Sequence, residues 1–266
     1  MKNGFRVFLA AFIALGLSWY GFVLVPARQL GTEKLSTILS STDTYPRQPS
    51  GDAALGLQIY RANGCAACHT EQIRQDGVAC DVVLTGAGKN PAAVSNLVSK
   101  LKLTGLTKEE ADAAADQITA AGGTSETRVI ATGADLARPG WGRRQSVAAD
   151  YLYDVPVQLG SLRAGPDLAN VGLRSPDLNW QLVHLYAPRS LVPNSAMPPF
   201  RYLFDFRKIN GAPSPDALQF PESFMLPAGF EVVPGPEAKL LAAYLLSLRA
   251  DAPLYEAPFT PAMAKP

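Results

Sequence analysis

The chain has 266 residues, 47% of them hydrophobic, and a formal net charge of +1. That near-neutral balance gives no support to a nucleic-acid partner, and three cysteines are too few for a disulfide framework. Twenty-two prolines and 22 glycines predict much irregular backbone.

From Val7 to Ala27 the chain carries no charge. A helix over this run spans about 30 Å, the thickness of a bilayer core. Trp19 and Tyr20 sit toward one end, where amphipathic rings favour the membrane interface. Val25-Pro26-Ala27 also offers small residues for signal cleavage, but secretory apolar regions are shorter, about 7–15 residues, so a retained anchor over 1–28 is expected. Lys2 and Arg6 are nearly balanced by Arg28 and Lys34, so charge does not set the orientation. Residues 29–50 are polar, hold Pro46 and Pro49, and read as a linker. A helix is predicted from Asp52, with Leu55, Ile59 and Tyr60 as its apolar stripe.

That helix leads into Cys65-Ala66-Ala67-Cys68-His69, the C-x-x-C-H signature of c-type haem attachment. Two thiols at this spacing can each add to a haem vinyl group, which leaves the following histidine under the iron as proximal ligand. A C-x-x-C redox site would call for a βαβ setting, and a zinc site for two more ligands, which only Cys80 and His184 remain to supply. Covalent haem attachment in bacteria takes place in the periplasm. The N-terminus is therefore expected in the cytoplasm and the haem domain in the periplasm, in a single-pass protein of the inner membrane.

After the motif, 76–139 reads as a small α+β unit. Asp81-Val82-Val83-Leu84 is strand-like, and a helix places Val94, Leu97, Val98 and Leu101 on one face. A second helix starts at Thr107, with Glu110 completing a capping box, and ends near Gly122-Gly123. Thr127-Arg128-Val129-Ile130 closes the sheet, giving a βααβ order, with Cys80 on its first strand.

A second haem ligand must come from four methionines or His184. Met197 lies in Val192-Pro193-Asn194-Ser195-Ala196-Met197-Pro198-Pro199-Phe200, where prolines fix a loop that can present a ligand. Met225 and Met263 lack such a setting, and His184 falls in a helical stretch, Trp180 to Tyr186, that suits a packed histidine. Pro236 opens a last helix carrying Leu241, Tyr244, Leu245 and Leu248 at helical spacing. Two helices bracketing a haem motif resemble the crossed terminal helices of a class I cytochrome c. The expected fold is mainly α: one transmembrane helix, a class I cytochrome c domain over 51–75 and 140–250, the βααβ insertion over 76–139, and a tail over 251–266.

The haem motif with Gln72-Ile73-Arg74, the run from Gly160 to Leu168, Val171-Gly172, Trp180, His184-Leu185, Pro188-Arg189-Ser190 and the Met197 loop together resemble a known family. It is the membrane-anchored monohaem subunit (subunit II, FixO/CcoO type) of cbb3-type cytochrome c oxidases. The resemblance implies one haem c on Cys65 and Cys68, iron ligands His69 and Met197, and a Pro166 carbonyl that accepts a hydrogen bond from His69. Arg163 is a candidate propionate contact or else a surface arginine. The implied partners are the catalytic haem–copper subunit, other cytochrome c subunits, and lipid through residues 7–27. Residues 201–233 depart from the family pattern and are expected to cover a haem edge or a partner surface. The insertion resembles the C-terminal domain of the bacterial ribosomal stalk protein shortened by one helix, as decoration or as a docking module.

Filling both axial sites implies electron transfer, not catalysis at this iron. A peroxidase-like enzyme or a gas sensor needs an open site, and a nitric oxide reductase has a comparable monohaem anchor subunit. Oxygen reduction by this chain is excluded by count: a haem–copper centre needs several histidines, and the chain has two.

Overall fold

The computed structural model describes residues 3–31, 34–137 and 141–257; Met263, Met1 and most of the expected tail lie outside them. The chain begins with α1 (Gly4–Trp19), a π-helical turn over Tyr20–Leu24 and α2 (Val25–Gly31). Together they form an apolar helix, Gly4–Gln29, long enough to cross a membrane and without buried residues. The wide turn lies just before Pro26, whose ring would clash with the carbonyl four residues back in a regular helix. The linker forms two short paired strands, β1 (Ser36–Thr37) and β2 (Thr44–Tyr45).

The main body is built on α3 (Gly51–Ala62) and α9 (Pro236–Ser247). Ser50 caps α3 by accepting from the Ala53 N–H, and Pro236 occupies the first turn of α9, where its missing donor costs nothing. A Cβ at Gly56 would lie 2.0 Å from the Leu240 carbonyl oxygen, so only glycine lets the two backbones approach this closely. The face of α3 that enters the core is Ala53, Gly56, Leu57 and Tyr60. Leu55 does not share it: it is 49% exposed, one helical step off the line that meets α9.

Between these helices lie α6 (Val171–Arg174), α7 (Leu178–Tyr186) and α8 (Pro188–Leu191). Leu182, Leu185 and Tyr186 join Leu57, Tyr60 and Leu241 in one core. The segment expected to be a cover belongs partly to that core. Its strands β5 (Phe204–Lys208) and β6 (Phe230–Pro234) pair antiparallel, and Val232 and Val233 are buried. The Tyr186 ring meets Phe204 edge-on at 5.3 Å and Phe220 at 5.6 Å.

The insertion folds as β3 (Gly77–Gly86), α4 (Pro91–Val98), α5 (Lys108–Ala120) and β4 (Thr124–Thr132). β3 and β4 pair antiparallel from Gly77↔Thr132 to Gly86↔Thr124, and the Leu103–Leu106 turn bonds the free edge of β3. Both halves of the Thr107–Glu110 capping box are formed. Its core of Cys80, Val82, Leu106, Ala111, Ala114 and Ile118 is separate from the main one.

Candidate functional site

The C-terminal end of α3 delivers the motif. Gly64 turns the chain at φ +66°, a left-handed conformation that favours glycine, and Cys65–Ala67 continue as a single 3-10 turn. None of the three cysteines forms a disulfide with another: Cys65 is half-buried, Cys68 exposed and Cys80 buried in β3 of the insertion. Burial pushes the Cys65 thiol up to about 12.

A second segment, 159–168, is bonded along the motif. The Ser161 N–H donates to the Ala66 carbonyl, Gly165 N–H to Cys68, and Leu168 N–H to Thr70. This pairing carries Pro166 under the imidazole, where its carbonyl accepts from His69 Nδ1 at 2.8 Å. A carbonyl can only accept, so Nδ1 holds the proton and Nε2 keeps its lone pair for a metal. Gly165 lies flat against the ring: a Cβ there would sit 2.3 Å from His69 Cε1. Burial lowers the His69 pKa, which favours the neutral imidazole, while the Pro166 bond opposes the shift.

His69, Pro166, Cys65 and Met197 line one mostly apolar cleft, walled by Tyr60, Leu168, Val171, Leu185, Leu241 and Leu245. Cys68 is not in the lining; it stands at the exposed end of the same turn. The Met197 loop is held by the Met197 N–H on Ser195 Oγ at 3.2 Å and by the Phe200 N–H on the Leu185 carbonyl at 2.9 Å. Arg189 Nε adds a bond to the Ser195 carbonyl at 3.2 Å.

His184 reaches the same cleft from α7, stacked on Trp180 with ring centroids 4.9 Å apart and planes 5° from parallel. Burial, then the nearby His69, pushes its pKa down to about 4. Arg174 is the cleft's cation. It lies over the Trp141 ring at 4.7 Å, and Nη2 donates to the Asp167 carbonyl at 2.8 Å. Arg174 Nη1 and His184 Nδ1 are buried without a hydrogen-bond partner among the described residues. Arg163 does not line the cleft; it is bonded to Thr70, Gln72, Asp135 and Asp167 behind His69.

This site fits a flat apolar ring carrying a metal. The Cys65 thiol stands in the lining with Cys68 three positions on at the exposed end of the same turn, an imidazole and a thioether share the walls, and the buried Nη1 of the half-buried Arg174 has no partner among the described residues. Of the residues singled out from the sequence, the structure brings Cys65, His69, Pro166 and Met197 to one cleft, and it adds Arg174 to the lining and Gly165 beneath the imidazole. Gly165 had a signal in the sequence, a glycine directly before the proline expected to meet the imidazole. Arg174 had none, because the burial of an arginine is set by tertiary packing.

Residues 131–226 match the family described as cytochrome c oxidase, mono-heme subunit/FixO. That span includes Pro166, Arg174, His184 and Met197 and leaves out the Cys65–His69 motif, which the insertion separates from it. No curated protein matches the chain.

Proposed function

We propose that this chain is the membrane-anchored electron-transfer subunit of a cbb3-type haem–copper oxidase, carrying one haem c attached at Cys65 and Cys68. The observation that carries the reading is the convergence of Cys65, His69 and Met197 on one apolar cleft, with His69 Nδ1 already committed to Pro166. When bound, the haem supplies reversible one-electron chemistry, and His/Met ligation places its potential in the range of respiratory carriers. His69 would hold the iron through Nε2, and the Pro166 bond would orient the ring and make it more electron-donating. Met197 would supply the second ligand, which would leave no position open to peroxide or a gas. The stacked His184 stays a neutral wall residue.

Arg174, not Arg163, is the propionate partner in this reading, because its Nη1 is the buried donor that lacks an acceptor. The close crossing of α3 and α9 at Gly56 supports a class I cytochrome c domain. The helix Gly4–Gln29 serves as a retained anchor, with the haem domain in the periplasm. The match to a cytochrome c oxidase subunit favours an oxidase over a nitric oxide reductase as the host complex.

The test is Met197→Ala. Oxidised wild-type protein should show the weak red charge-transfer band of a sulfur-ligated ferric haem, and the variant should lose it and bind carbon monoxide when reduced. A variant that keeps the band has another ligand and refutes the assignment.

A further inference from the structure

We propose that Arg163 and Asp135 are positioning residues for the His69 ligand. Together they hold the two chain segments that carry His69 and Pro166 at the separation their hydrogen bond needs. The inference rests on the haem reading above and adds residues that touch neither the cleft nor the motif cysteines.

His69 and Pro166 are distant in sequence, and each is followed at once by a residue of the same buried network. Thr70 Oγ1 donates to Asp167 Oδ2 at 2.6 Å, and the Gln72 N–H donates to the same oxygen at 2.8 Å. Arg163 ties both segments to a third. Its Nε donates to Thr70 Oγ1 at 2.7 Å, and Nη2 donates to the Gln72 carbonyl and to Asp167 Oδ2. Its Nη1 and Nη2 then grip the Asp135 carboxylate as a fork, at 2.6 and 2.9 Å. Asp135 also accepts the Arg74 N–H at 2.8 Å. Thr70, Asp135 and Asp167 are 2%, 5% and 1% exposed, so the side chains that Arg163 bonds are shielded from water, while Arg163 itself stays 23% exposed.

One planar guanidinium thus bridges residues 70–74, residue 135 and residue 167. Lysine carries the same charge but has no fork, so it cannot meet these acceptors together. Asp135 lies three residues beyond the end of β4, where the insertion rejoins the main body. The counter-charge of the clamp is therefore supplied by the insertion's exit, and the seating of that exit bears on His69.

A looser His69–Pro166 bond makes the imidazole a weaker donor, which favours ferrous iron and raises the midpoint potential. Full-length Arg163→Lys and Asp135→Asn proteins should both show a higher potential than wild type with the sulfur charge-transfer band retained. Arg163→Lys conserves charge, so its shift reports lost geometry and not a changed field. In the reduced proteins, NMR should find the His69 Nδ1 proton exchanging roughly tenfold faster, the scale of one weakened hydrogen bond. A merely structural pair would lower the unfolding midpoint and leave potential and exchange at wild-type values, which would overturn the proposal. Should Arg163→Lys fail to load haem, Asp135→Glu, which keeps both charges, is read by the same two measurements. A wild-type protein without a low-spin haem spectrum would instead overturn the underlying reading.

Discussion

A methyl group at Gly165 would lie 2.3 Å from His69 Cε1 and 2.7 Å from Nδ1. The imidazole can escape only by leaving the Pro166 carbonyl, because the Gly165 N–H is itself held on the Cys68 carbonyl. Gly165→Ala is therefore expected to attach haem poorly, or to attach it with His69 displaced. In the second case the reduced protein binds carbon monoxide on the His69 side while Met197 stays ligated. Absorption spectra with and without carbon monoxide check this; a wild-type spectrum at wild-type haem content would contradict it. At this scale the sequence was informative where chemistry sets the spacing, as in Cys65, Cys68 and His69. It was less informative where a role depends on which buried donor is left over. Arg163 and Arg174 look alike in sequence, yet one is saturated by Asp135, Asp167 and Gln72 and the other lines the cleft with Nη1 unpartnered among the described residues.

At the scale of elements, the site depends on how closely α3 and α9 approach, because α3 delivers the motif and α9 contributes Leu241 and Leu245 to the cleft. The crossing is backed by Tyr60 against Tyr244, with ring centroids 5.1 Å apart, and by the Tyr244 hydroxyl donating to Glu71 at 3.0 Å. Burial pushes the Glu71 carboxyl up to about 8. Gly56→Ala forces the helices apart and should cost about 1–3 kcal/mol, the usual price of overpacking a tight contact. Urea unfolding of the haem-loaded protein measures it, and an unchanged midpoint would mean that the helices do not meet at Gly56. The sequence located these helices well because capping residues and periodicity are local signals. It misplaced Leu55 because an apolar residue beside a stripe looks the same as one within it. The pairing of β5 with β6 was not legible, since their partnership spans the long loop between Lys208 and Phe230.

The whole molecule is tied together at points remote in sequence. Arg144, 1% exposed, forks onto Asp150 at 2.7 and 2.9 Å, donates from Nε to the Ala252 carbonyl, and lies 5.4 Å from the Tyr45 ring centroid. Linker, main body and C-terminal segment thus meet on one buried cation. The insertion is attached differently, through a pair of strands whose ends lie in register and through Asp135 beyond them. Replacing Asp81–Ile130 with a short Gly/Ser turn joins two strand stubs that already face each other, at modest closure entropy. Haem attachment and Met197 ligation should survive, with Asp135 still on Arg163; loss of haem would mean that the insertion's own core supports the cleft. Whether Cys65 and Cys68 carry a covalent haem is read from the intact mass of the purified protein under denaturing conditions. The predicted mass is that of the polypeptide plus one haem, reduced to the bare polypeptide when Cys65 and Cys68 are both changed to serine. A bare polypeptide mass for the wild-type protein, matured in a host that makes c-type cytochromes, would contradict it.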